Sequence, residues 1–125
     1  MYEVYVAAQF EAAHRLVGDF GPATRPHGHT YRMEVIVRGE HLKDDGTLYD
    51  VGLLRPAVED LAASLHYRDL NDVPGLADVN TTAEAVARYC WDELAVSLRG
   101  QGLHSLTVRI WESPQVYAAR EDPLD

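Results

Sequence analysis

The chain has 125 residues, a formal net charge of −9 and 46% hydrophobic residues, enough apolar material for one core, so a single domain over residues 1–125 is expected. The acidic balance lacks the basic footprint that broad nucleic-acid binding requires, and no run approaches the roughly 20 apolar residues of a membrane span. The one cysteine, Cys90, leaves no internal disulfide to form. The first residues show neither the basic nor the apolar part of a secretory leader, so a reducing, cytoplasmic setting is expected.

Residues 2–10 predict a strand, with Tyr2, Val4, Val6 and Ala8 alternating against Glu3, Tyr5, Ala7 and Gln9. Residues 17–26 hold Gly18, Gly21, Pro22 and Pro26 and predict a loop. Residues 30–38 predict a second strand, with Tyr31, Met33, Val35 and Val37 on one face and Arg32, Glu34 and Arg38 on the other. Lys43-Asp44-Asp45-Gly46-Thr47 is a turn signal between two strand-like runs. A helix follows over residues 53–65, with Leu54, Val58, Leu61 and Leu65 at helical spacing and Pro56 near its first turn. Asp50 suits a turn or cap before it.

A second helix starts at Thr81 or Thr82, where Thr81-Thr82-Ala83-Glu84 has the form of a capping box. Its apolar positions predict a largely buried helix, with Cys90 in the core and Gly100 and Gly102 ending it. Leu106, Val108 and Ile110 alternate with Thr107, Arg109 and Trp111 as a strand. A turn at Ser113-Pro114 leads to a short strand near 115–119. The order is β-β, α-α, β-β with a hairpin end, an α+β pattern. Trp91 and Trp111 fit core or interface roles, and His41 and His104 lie beside turns without a signal of their own.

The chemistry concentrates in His14 and in Pro26-His27-Gly28-His29-Thr30-Tyr31. Two histidines at i and i+2 on a strand point to one face, and Gly28 puts no side chain between them. A third histidine from a neighbouring strand would gather three imidazoles around one point. Three nitrogen ligands with an open fourth position are how a catalytic zinc is usually held. The open position polarises a substrate oxygen or acidifies a bound water. Arg15, Arg25 and Arg32 lie close in sequence to these histidines and suit an anionic substrate despite the acidic total.

Phe10-Glu11-Ala12-Ala13-His14-Arg15-Leu16 followed by His27-Gly28-His29 resembles the 6-pyruvoyltetrahydropterin synthase / 6-carboxytetrahydropterin synthase family. The resemblance continues through Leu48-Tyr49-Asp50-Val51, Leu70-Asn71-Asp72-Val73-Pro74-Gly75, Thr81-Thr82-Ala83-Glu84 and Trp111-Glu112-Ser113, in the family's order. It implies a tunnelling fold (T-fold): an antiparallel sheet with two helices on one face. Several copies would close it into an oligomeric β-barrel, with active sites at subunit interfaces and a homohexamer of two trimers. It also implies Zn2+ on His14, His27 and His29, and a pterin ring anchored by Glu112 with Thr82 nearby. The implied substrate is 7,8-dihydroneopterin triphosphate. A carboxylate suits the ring because it accepts two N–H bonds at once. Helix capping by itself accounts for Thr82.

The chain departs from the family where protons move. The family's cysteine, four residues before the first histidine of the His-Gly-His motif, is here Ala23. The positions of its Asp-His dyad hold His66 and Tyr67. No acidic residue lies between Gly21 and His27 to take the cysteine's place. The replacement candidates are His66, oriented by Asp69, and Tyr67 as an acid. The expected function is a zinc-dependent pterin-side-chain lyase resembling 6-carboxytetrahydropterin synthase. The same scaffold could instead run a different aldol-type cleavage or cyclisation, or bind a pterin or purine without turnover.

Overall fold

The computed structural model describes residues 1–125. Strands β1 (Tyr2–His14) and β2 (His27–Gly39) lead into helix α1 (Val51–Leu65), a two-residue strand β3 (Arg68–Asp69), helix α2 (Ala83–Leu98) and the hairpin β4 (Ser105–Ser113) and β5 (Val116–Pro123). One five-stranded sheet results, in the order β3-β1-β2-β4-β5. The four long strands pair antiparallel, while β3 pairs parallel with β1, so the sheet is mixed and not wholly antiparallel. Two residues carry no periodicity, which is why β3 has no sequence signal.

Alternation decides which face is covered. Val6, Phe10 and Ala12 of β1, Tyr31, Met33, Val35 and Val37 of β2 and Leu106, Val108 and Ile110 of β4 are buried on one face. Both helices lie there, α1 over β1 and α2 over β4 and β5. Leu54, Val58, Ala62 and Leu65 of α1 and Val86, Cys90, Trp91 and Leu94 of α2 close the core. Apolar burial at about 25 cal/mol per Å2 is the main force holding the layers together. The other face is polar: Glu34 is hydrogen-bonded by Tyr5 and Trp111 and paired with Arg32 and Arg109.

Several boundaries differ from expectation. Both first strands run further toward the histidines, to His14 and from His27, because those two residues pair across the ladder. The turn at 43–47 closes as expected, with Lys43 N–H donating to the Thr47 carbonyl at 2.8 Å. The run after it is not a strand. Leu48 and Tyr49 are buried in irregular chain leading to Asp50, whose carboxylate accepts from Gly52 N–H at 2.8 Å and caps α1. Helix α1 therefore starts at Val51, which puts Pro56 inside the helix and beyond its first turn. Helix α2 is buried along one face only, and Val96 is 76% exposed. Its cap is Thr82, whose hydroxyl accepts from Ala85 N–H at 3.1 Å, so Glu84 is not at the capping-box position. That frees Thr81, fully buried, for a different contact.

Candidate metal centre and its surroundings

His14 and His27 are direct partners in the β1–β2 ladder, and His29 is opposite Ala12. Alternation turns all three rings toward the helix-covered side. Nε2 of His29 lies 3.0 Å from Nε2 of His27 and 3.1 Å from Nε2 of His14. These residues form the chain's one group of three or more side chains placed so that they could hold a metal ion. A Cβ on Gly28 would meet only the Ala12 carbonyl, at an ordinary 3.6 Å, so the expected clearance role for that glycine is not a steric requirement. Its position on the opposite face already keeps it out of the way.

The ring orientations are set from behind. His14 Nδ1 faces the Thr81 carbonyl at 2.8 Å, and His27 Nδ1 faces the Arg25 carbonyl at 2.8 Å. A carbonyl only accepts, so each Nδ1 carries the proton in the tautomer inferred from these contacts. His29 is held likewise by a backbone hydrogen bond at Glu112 while its Nε2 faces the other two rings, so each Nε2 presents a lone pair toward the shared point. Lone pairs about 3 Å apart repel unless a cation lies between them, and metal–imidazole bonds of about 2.0–2.1 Å reach such a point. The residues therefore fit a metal ion, and the carbonyl partners are the kind that fix ligating histidines.

Burial pushes the His14 and His29 imidazoles below their ordinary value of 6.5, with the Thr81 carbonyl partly opposing it at His14 and Glu112 at His29. The unfolded chain binds more protons than the folded one just below that pH, so folding stability falls as pH falls. The metal-free protein is expected to lose stability between pH 6.5 and 5.5, before Glu34 protonates, since against its burial hydrogen bonds from Trp111 and Tyr5 hold its carboxyl below the ordinary 4.5. Urea midpoints with chelator present, at pH 7.5 and 5.5, check this. An equal or higher midpoint at 5.5 would contradict the burial argument.

Glu112 sits in a β-bulge. Trp111 pairs with Tyr117 and Ser113 with Val116, leaving Glu112 outside the ladder. Bulges re-aim side chains, and here the half-buried carboxylate lies near enough to raise the pKa of His14, His29 and Tyr31 together. Tyr31 packs edge-on to His29 at 5.2 Å and stacks on Phe10 at 5.0 Å. Its buried hydroxyl has no protein partner. Thr82, at the α2 cap, follows directly on Thr81, which touches His14.

The other expected site residues gather elsewhere. His66 caps the end of α1, and its Nδ1 accepts from Glu11 N–H at 3.0 Å. In the neutral ring the proton is then on Nε2, which makes this imidazole a donor and not a base. The Asp69 carboxylate accepts from Asn71 N–H at 2.9 Å, so it does not orient His66. Tyr67 is 79% exposed, its φ is +58°, and its ring lies 3.8 Å from that of His66. A bulky residue in the left-handed region is strained. Tyr67 and Asp69 line a hollow of about 520 Å3 with Glu11, Thr30, Arg68 and His29. Glu11 and Thr30 project from the sheet face opposite the three histidines, so hollow and metal centre meet only at His29.

Ala23 lies in a 3-10 turn, Gly21–Thr24, and its carbonyl accepts from Leu16 N–H at 2.9 Å. Its methyl group carries no proton to exchange. Cys90 is fully buried and burial pushes its thiol up, so it cannot replace the missing cysteine. Arg32 is turned to the far face, onto Tyr5 and Glu34, and away from the histidines. Sequence reasoning missed Thr81, Asn71 and Asn80. The first acts through a backbone carbonyl, which no residue type announces.

Sheet, helix cover and histidine centre together define an α+β protein of the tunnelling-fold class. A family model described as 6-pyruvoyl tetrahydropterin synthase matches residues 3–123, and the chain belongs to that family. It is 34% identical over 113 residues to a 6-carboxy-5,6,7,8-tetrahydropterin synthase from Synechocystis, covering 86% of this chain and 85% of that protein. It is 35% identical over 99 residues to the human 6-pyruvoyl tetrahydrobiopterin synthase, covering 68% of each. The solved Caenorhabditis elegans 6-pyruvoyl tetrahydropterin synthase superposes with a TM-score of 0.83 at 27% identity, over 97% of this chain and 95% of that one. The chain is thus tetrahydropterin-synthase-like.

Proposed function

We propose that this protein is a zinc-dependent lyase that acts on the side chain of a reduced pterin, 7,8-dihydroneopterin triphosphate or a close relative, in the manner of a 6-carboxytetrahydropterin synthase. The observation that carries the reading is the convergence of three Nε2 atoms with the Glu112 carboxylate near the same point. Zinc, when bound, supplies a Lewis acid that acidifies the C–H beside a coordinated side-chain oxygen. His14, His27 and His29 hold it. Glu112 accepts two N–H bonds from the 2-amino-4-oxo edge and thereby orients the side chain. Thr82 closes the same end from the α2 cap. Arg15 and Arg25, whose side chains form no salt bridge, suit the phosphates.

With Ala23 inert and His66 engaged by Glu11, proton transfer is left to Tyr67, Asp69 or water. Tyr67 and Asp69 line a hollow that reaches their own chain's centre only at His29, so they would serve the centre of a neighbouring copy. This favours a homo-oligomer, and the family resemblance implies that it is a hexamer of two trimers. The outer edge of β5 is consistent with such closure, since Val116 and Tyr117 are 54% and 47% exposed there.

Incubating zinc-loaded protein with 7,8-dihydroneopterin triphosphate and reading products by mass spectrometry tests the reaction. Loss of triphosphate with a carboxy- or pyruvoyl-pterin product supports it. Unchanged substrate, with zinc confirmed bound, removes it. Ala23 favours one second reading: the same centre running a different cleavage or cyclisation, or holding a pterin without turnover. A new product in that assay, or tight binding without any product, selects it.

A further inference from the structure

The chain just after His14 is held by side chains in place of a strand. At Glu11 the N–H donates to His66 Nδ1 and the carbonyl accepts from Tyr67 N–H at 2.6 Å. At Ala13 the short strand β3 takes over, in register with Asp69. At Arg15 the side-chain amide of Asn71 accepts from the backbone N–H at 2.9 Å and donates to the backbone carbonyl at 3.2 Å. At Val17 the amide of Asn80 does the same, with both bonds at 2.9 Å. A primary amide offers one acceptor and one donor in a plane, as a peptide unit does. Asn71 and Asn80 thus pair with alternate residues as a neighbouring strand would.

The pairing has a target. His14 is the last residue of β1, where an unpaired strand end would fray. The amides seize the first and third residues beyond it. Asn80 is followed by Thr81, whose carbonyl holds His14 Nδ1. Asn71 is itself held, its N–H donating to Asp69. Two residues far apart from His14 in sequence therefore set both the backbone that carries this ligand and the carbonyl that aims its ring.

We propose that Asn71 and Asn80 are positioning residues for the metal ligand His14, forming a side-chain substitute for a strand that fixes its direction before a metal arrives. This rests on the reading of the three histidines as a metal centre. Aspartate at either position keeps the acceptor for the backbone N–H and loses the donor for the carbonyl. Alanine loses both.

The test uses the full chain with Asn71→Ala, Asn80→Ala, Asn71→Asp and Asn80→Asp. Zinc affinity is read by chelator competition, the cobalt-loaded centre by visible absorption, and amide exchange at Arg15 and Val17 by NMR. The alanine variants should bind zinc roughly 10- to 100-fold more weakly, as loss of a ligand's supporting contacts typically costs. Their cobalt bands should weaken or shift, and the Arg15 or Val17 amide should exchange faster. The aspartate variants should fall between.

Folded alanine variants with wild-type zinc affinity and cobalt bands would overturn the proposal even if they melt earlier, because the amides would then only staple a loop. Should the alanine variants not fold, wild-type affinity and bands in both aspartate variants would overturn it. A wild-type protein that binds neither metal ends the metal-centre reading and this proposal with it. A metal-binding wild type beside indifferent variants ends this proposal alone.

Discussion

Replacing His29 with alanine is expected to lower zinc affinity roughly 10²–10³-fold, since the ~10–16 kcal/mol typical of a four-ligand zinc site amounts to about 2.5–4 kcal/mol for each ligand. His29 is the sharpest choice because its Nε2 is the atom in contact with both other nitrogens, at 3.0 and 3.1 Å. Its side chain lies at the rim of the core, so the fold should survive, and far-UV circular dichroism should be unchanged. His104→Ala is the control: its known contacts are backbone ones, its N–H donating to the Arg38 carbonyl at 2.8 Å. Chelator competition on the three proteins gives the answer. One tightly held zinc in the His29 variant would remove the three-histidine assignment.

Glu112→Gln is expected to separate ring recognition from metal binding. The amide is nearly isosteric, but it is neutral and offers one acceptor where the carboxylate offers two. Charge-assisted hydrogen bonds contribute roughly 1.5–3 kcal/mol each, so reduced-pterin affinity should fall about 100-fold or more. Metal affinity should change far less. The carboxylate attracts a cation, yet it also raises the pKa of His14 and His29, so removing it weakens proton competition at those nitrogens. The two effects oppose each other. Isothermal titration with 7,8-dihydroneopterin, on zinc-loaded wild type and variant, measures the difference. Equal pterin affinity in both would take Glu112 out of the ring site.

His27 and His29 were legible as a pair because i and i+2 on one strand share a face, whereas His14 was joined to them through the family resemblance, since the expected strands stopped at residue 10 and began at residue 30. The layer pattern was legible for a similar reason, since Tyr31, Met33, Val35 and Val37 alternate cleanly and are all fully buried. What escaped lacks a local signal. Strand β1 outran its expected end because Ala12, Ala13 and His14 have no β-branched pattern, and only pairing with β2 extends it. Of the two threonines expected to start α2, Thr82 is the cap, and the capping-box form fails because Thr81 is claimed by His14, a contact between elements far apart in sequence. The amides of Asn71 and Asn80 were visible only as members of polar turns, and what they hold depends on where β1 ends. His66 and Asp69 were expected to work as a pair. In the fold each one meets a backbone N–H first.

All three nitrogen donors belong to β1 and β2, joined by the short connection 15–26. During synthesis, a chain that has emerged only as far as β2 already carries its full donor set. Asn71, Asn80 and Thr81, which aim His14, come later, and Glu112 comes later still. Loading and recognition are therefore separable in time. On the proposed reading, a nascent hairpin would hold metal loosely, α2 docking would tighten that grip, and the ring-binding end would exist only once the final hairpin has closed.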